Sequence, residues 1–167
     1  MVAAFFAIAG TLVGILGSVL TALVRARQEE RKAWRETLRN VSSSFSGEIT
    51  RLRNTSVRLR VHPDDKDLQQ VAQDAHSKAR GLQEQLRLVS RSRATQEAGR
   101  WLIHNAYYHW QATQGGPGDF QEARKGLELW LSKFYIEVRK ELGLNGSGLY
   151  EDPEGGLPIP RAREITN

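Results

Sequence analysis

Residues 2–24 carry no charged side chain, and Arg25, Arg27, Arg31 and Lys32 follow at once. As a helix such a run is about 35 Å long, enough to cross the roughly 30 Å hydrocarbon core of a bilayer. A helix buried inside a globular domain is ordinarily shorter and carries polar residues. A secretory leader has a basic start, a short apolar centre and a small-residue cleavage point. Here no Lys or Arg precedes the run, and Val24-Arg25-Ala26 is a poor cleavage context. The sequence therefore predicts a retained transmembrane helix over residues 1–24.

Orientation follows from charge. Nothing positive precedes the run, whereas Arg25, Arg27, Arg31, Lys32 and Arg35 follow it. Basic flanks stay in the cytoplasm. The expectation is a single-pass protein of the inner (plasma) membrane, with its N-terminus outside and its C-terminal domain cytoplasmic. In that compartment the sequons at Asn40, Asn54 and Asn145 have no meaning. The absence of Cys agrees with a reducing environment and excludes disulfides and thiolate chemistry.

Small residues inside the run are ordered. Ala3, Ala7, Gly10, Gly14, Gly17 and Thr21 alternate spacings of four and three, which lines them along one face. Gly10 and Gly14 have the spacing that lets membrane helices approach closely. The stripe predicts association through the anchor, with a homo-oligomer as the expected outcome. The basic residues Arg25, Arg27, Arg31, Lys32 and Arg35 are the candidate contacts to anionic lipid. Residues 25–60 hold ten Lys or Arg against four Glu, a net of +6, so the basic character sits next to the membrane.

Beyond the anchor the pattern is helical throughout. Trp34, Leu38, Val41, Phe45, Ile49, Leu52 and Leu59 keep helical spacing, and no Pro occurs between residue 25 and His62. One helix can thus leave the membrane and enter the domain directly, with Ser42-Ser43-Ser44 and Gly47 as a point of low helix propensity where it can bend. Pro63 with Asp64 and Asp65 ends it and opens a second amphipathic helix, with Leu68, Val71, Ala72, Ala75, Ala79, Leu82, Leu86 and Val89 on its apolar face. Arg91-Ser92-Arg93 is a short connection. A third helix, capped by Thr95 and ending near Gln114, turns Ala98, Trp101, Leu102 and Tyr108 inward.

Gly115-Gly116-Pro117-Gly118 breaks the chain again. Asp119 caps a fourth helix, with Glu122 completing a capping-box pair. That helix buries Phe120, Ala123, Leu127, Trp130, Leu131, Phe134 and Val138 and stops near Gly143. The fold expected is all-α: an N-terminal transmembrane helix (1–24) continuing into a cytoplasmic antiparallel four-helix bundle (25–143), then a disordered C-terminal tail (144–167).

No catalytic constellation is present. His104 and His109 are five residues apart, about 500° around a helix, and face different ways. All four histidines read as surface or satisfied core, and no Glu-x-x-His tetrapeptide suggests a di-iron site. Phosphate loops and nucleophile elbows are missing. A non-enzymatic protein without metal or cofactor is the expectation. Tyr107, Trp110 and Gln111 lie off the expected core face and form a candidate docking patch for an unknown protein partner. Arg51 to Arg60 and Arg87 to Arg100 form two basic clusters at opposite ends of the bundle, so nucleic acid is possible as a partner but not favoured.

The opening, Ala9-Gly10-Thr11-Leu12-Val13-Gly14 followed by Arg25-Ala26-Arg27-Gln28-Glu29-Glu30-Arg31-Lys32 and Trp34-Arg35, resembles a group of actinobacterial proteins of the KilB type. These have one N-terminal membrane helix and a cytoplasmic helical bundle, and some are associated with plasmid transfer. The resemblance reaches to about Phe45 and implies no catalytic residue. The primary reading is a membrane-tethered adaptor or scaffold. The alternative is an accessory component of a conjugation-type DNA-transfer or envelope machine that meets DNA or a motor protein through basic faces.

Overall fold

The computed structural model describes the backbone of residues 2–115 and 119–144; side chains are described from residue 18 onward, except Val19. Four helices account for nearly all of it: α1 (Val2–Val61), α2 (Lys66–Val89), α3 (Arg93–Thr113) and α4 (Phe120–Glu141). No strand occurs among the described residues. The tail predicted as disordered lies outside them beyond Leu144.

α1 is unbroken for 60 residues, about 90 Å. The serine-rich stretch does not interrupt it. Ser42 and Ser46 are instead buried, and the Ser46 hydroxyl donates to the Ser43 carbonyl at 3.0 Å. From Leu20 to Ala33 every residue of α1 is exposed. The first side chain to enter the bundle is Trp34, whose indole donates to the Val89 carbonyl at 2.9 Å.

Caps set the other boundaries. The Asp65 carboxylate accepts from the Leu68 amide at 3.0 Å, and Asp119 from the Gln121 amide at 2.8 Å. The cap of α3 is Ser92, not Thr95: the Ser92 hydroxyl accepts from the Thr95 amide at 3.3 Å, and Thr95 is itself buried. α4 ends in a Schellman turn. Gly143 adopts φ 73°, and the Gly143 and Leu144 amides donate to Lys140 and Arg139 carbonyls.

The core is built from Leu38, Phe45, Ile49, Leu52 and Leu59 of α1 against an alanine face of α2 (Ala72, Ala75, Ala79), with Leu102, Leu127 and Phe134 closing it from the second hairpin. Phe45 and Phe134 meet edge-on, centroids 5.2 Å apart. Gly99 sits beside them because a Cβ there would stand 2.8 Å from Leu86 Cδ2.

The neighbours run antiparallel, but the cross-section is not square. α1 pairs closely with α2, and α3 with α4. The hairpins join mainly by α1 on α3 and α2 on α3; the backbones of α1 and α4 come close at few points, where side chains such as Phe45 and Phe134 bridge them, and the backbones of α2 and α4 stay apart. The bundle is a flattened diamond with α1 and α3 across its short diagonal.

Candidate functional site

Two surfaces carry the exposed residues to which the sequence points. The first is the end of the bundle from which α1 emerges. Arg25, Arg27, Arg31 and Lys32 are exposed on the free part of α1. Arg35, also exposed, lies at the rim, its guanidinium against Gly143. Arg91, in the α2–α3 turn, stacks its guanidinium 4.6 Å over the Trp34 ring. The same turn grips the last turn of α4. The Glu141 carboxylate accepts from the Ser90 hydroxyl (2.8 Å) and from the Arg91 and Ser92 amides (2.6 and 3.1 Å). One internal carboxylate thus satisfies donors at the start of α3 and ties the rim together. Of the small-residue stripe, only Thr21 has a described side chain, and it is exposed. Ala3, Ala7, Gly10, Gly14 and Gly17 lie outside the described side chains. Among the described residues no helix is long and apolar enough to cross a membrane.

The second surface is the outer groove between α2 and α3. At its distal end His76 lies against Tyr107 (centroids 5.1 Å) and Trp110 (5.8 Å), and the Gln111 amide donates to the Tyr107 hydroxyl at 3.0 Å. Burial, then the Arg80 charge, lowers the His76 pKa below its ordinary value. Tyr107 is 41 % exposed. Trp110 is not free: it packs half-buried against the core, and its indole nitrogen is enclosed without a partner. Of the expected docking patch, Tyr107 presents the accessible ring and Gln111 braces it. Toward the rim α2 and α3 line an open concavity of about 390 Å³, with Arg87, Arg93 and Arg100 beside Glu84 and Glu97 and with Gln83 and Gln96 between them.

Aromatic placement on α3 and α4 differs from expectation. Spacing predicts Trp101 and Tyr108 inside, yet Trp101 is 48 % exposed and Tyr108 only half-buried. The buried line is Ala98, Leu102, Ala106, His109 and Thr113, one residue further round the helix. Trp101 stacks instead on half-buried Trp130 at 5.6 Å, and Lys133 caps Trp130 at 4.4 Å. Phe120 is half-buried under Arg60. Leu82, Val89 and Leu131 are likewise half-buried, packed on the edge of the core, and Val71 is half-buried too.

His109 corrects a further expectation. It is neither a surface nor a satisfied histidine: its side chain is fully enclosed, and neither ring nitrogen has a hydrogen-bond partner. It packs against Phe120 at 4.8 Å. Burial first, then the charges of Arg53 and Arg124, lower its pKa to about 4, with Glu128 opposing. Neutral imidazole is therefore the resident form.

Among the described residues no cluster of three His, Asp or Glu could hold a metal ion. Nothing in the two surfaces aligns a nucleophile with a base. The chain matches no family model, no curated protein and no solved structure.

Proposed function

We propose that this chain is a non-enzymatic, membrane-tethered adaptor that self-associates through residues 2–24 and docks a partner protein on its cytoplasmic bundle. The observation that carries this reading is the continuity of α1. One helix joins the uncharged run to the bundle core, and the stretch between them, residues 25–33, is exposed throughout. A free helical rod of this kind has no packing reason to exist within a lone globular domain. It makes sense as a spacer between two anchored ends.

The dimensions agree with lipid contact at the rim. From Val24 to Trp34 the helix rises about 15 Å. The interfacial layer of each leaflet takes up roughly 5–8 Å of that. The bundle rim then stands within about a Debye length of the head groups. Arg25, Arg27, Arg31 and Lys32 fall in this gap, with Arg35 and Arg91 at its upper edge. Basic residues so close to an anionic surface each contribute on the order of 1 kcal/mol of attraction. The inner membrane, N-terminus outside, is the location this reading requires.

Crosslinking in native membranes tests the anchor. Gly10→Ile combined with Gly14→Ile removes the small-residue seam and should abolish dimer crosslinks while the protein stays in the carbonate-resistant fraction. Undiminished crosslinks would refute the seam. Release of the wild-type chain by alkaline carbonate would refute the tether itself.

A further inference from the structure

The outer α2–α3 groove carries more information than an exposed aromatic. Arg80 and Arg87 are seven residues apart on α2, and Arg93 and Arg100 are seven apart on α3. Seven residues return a helix to nearly the same face, about 10.5 Å along. The helices are antiparallel, so the groove is flanked on both sides by arginines at heptad spacing. Two of these are internally matched: Arg87 with Glu84 at 2.9 Å and Arg93 with Glu97 at 2.8 Å. Arg80 and Arg100 have no carboxylate within ion-pair distance among the described residues. Gln96 donates from the floor to the Ser90 carbonyl at 2.8 Å, which holds the groove open at the rim end. His76 and Tyr107 close the other end with an aromatic wall.

The concavity ends at Arg100, and the outer face of α3 continues from it to Tyr107; from Arg93 to Tyr107 that face spans about 21 Å, the length of a four-turn helix. Its flanks ask for carboxylates repeating every seven residues, and its distal end for one apolar side chain. Charge density separates the macromolecular classes. Four arginines against two glutamates leave a net of +2 over that length. A nucleic-acid strand brings one phosphate per roughly 3.4 Å, about six over the same distance, far more negative charge than a net of +2 balances. A helix with two or three acidic residues matches the groove instead.

We propose that the α2–α3 groove binds an acidic amphipathic helix of a partner protein, its carboxylates on Arg80, Arg87, Arg93 and Arg100 and an apolar residue against Tyr107. The proposal rests on the reading of the bundle as a docking module and names the chemistry of what docks. Arg80 and Arg100 supply the attraction left over after the internal ion pairs, and Tyr107 fixes the register.

The test uses the full-length chain in detergent and a fluorescein-labelled 18-residue amphipathic peptide with glutamates seven residues apart on each flank of a leucine stripe. Anisotropy should report saturable binding. Arg80→Glu with Arg100→Glu should weaken it at least tenfold, and Tyr107→Ala severalfold. Lys125→Glu, on exposed α4, should leave it unchanged. No saturable binding, or an equal response to Lys125→Glu, overturns the proposal. Loss with Tyr107→Ala but no response to the arginine reversals overturns the acidic chemistry and leaves the docking reading standing. An oligothymidylate that displaces the peptide and binds more tightly, in an arginine-dependent way, overturns the assignment in favour of nucleic acid.

Discussion

His109 occupies the position where the largest local consequence is concentrated. Its ring is enclosed at the distal end of the bundle against Phe120, within the influence of the Arg53 and Arg124 charges and with both nitrogens unpaired. The folded-state pKa of about 4 lies below the ordinary 6.5. The unfolded chain therefore takes up this proton first as pH falls. Stability from the neutral imidazole is complete above pH 6.5, drains away between 6.5 and about 4, and is fully lost below. Between about pH 7.5 and 5 the loss is about 2 kcal/mol. Urea unfolding followed by tryptophan fluorescence should show that drop in the wild type and a flatter profile in His109→Leu, which keeps the volume and removes the titrating nitrogens. Parallel profiles for the two proteins would contradict the burial. This position was not legible in the sequence. Trp101 and Tyr108 outweigh Leu102 and His109 in any hydrophobic reading, although both pairs are one heptad apart. The structure resolves the tie by size: the narrow space beside Leu86 and Phe45 admits Gly99, small Ala106 is buried further along the same face, and wide indoles go to the rim of the α3–α4 seam where they stack.

Helix ends were legible wherever backbone chemistry decides them, and less so where a side chain does. Pro63, Gly115 and Gly143 each stop a helix for reasons of φ or a missing amide, and the boundaries fall there. The α3 start turned on whether Ser92 or Thr95 offers its hydroxyl. Glu141, distant in sequence, holds the Ser92 amide and the turn before it, and no local pattern reports that. Glycines inside helices divide in the same manner. Gly81 is exposed on α2, and a methyl group added there would have nothing within 4 Å, whereas one on Gly99 of α3 would meet Leu86 at 2.8 Å and Phe134 at 3.7 Å. Gly81→Ala should raise stability by about 0.5–1 kcal/mol, because only helix propensity changes. Gly99→Ala gains the same propensity but overpacks the centre, and should lose about 1–3 kcal/mol net. Thermal unfolding of the two variants gives shifts of opposite sign; a stabilised Gly99→Ala would mean that α3 stands further from α2 than the 2.8 Å approach to Leu86 allows.

The diamond arrangement of the bundle was beyond what periodicity contains. A hydrophobic stripe names the face a helix buries, not which neighbour covers it, and α1 meets α3 where an evenly packed bundle would bring it against α4. The long α1, in contrast, was written plainly in a chain without Pro from residue 25 to His62. Its consequence is a division of labour along one helix: Trp34 onward is held by packing, and Leu20 to Ala33 is exposed helix held chiefly by its own backbone hydrogen bonds. Glu29→Pro separates the two. Proline at this point removes a helical hydrogen bond and clashes one turn back, costing about 3 kcal/mol locally. It breaks no contact of the bundle, whose first anchored residue, Trp34, lies beyond the next helical turn. The thermal midpoint should therefore stay close to the wild-type value, while trypsin cuts after Arg25, Arg27, Arg31 and Lys32 much faster, because a protease needs locally unfolded chain. Crosslinks between anchors should survive in this variant, and crosslinks between bundles should scatter as the rod loses its fixed angle. A midpoint that fell by as much as in Gly99→Ala would mean that the free stretch of α1 is packed against the domain after all.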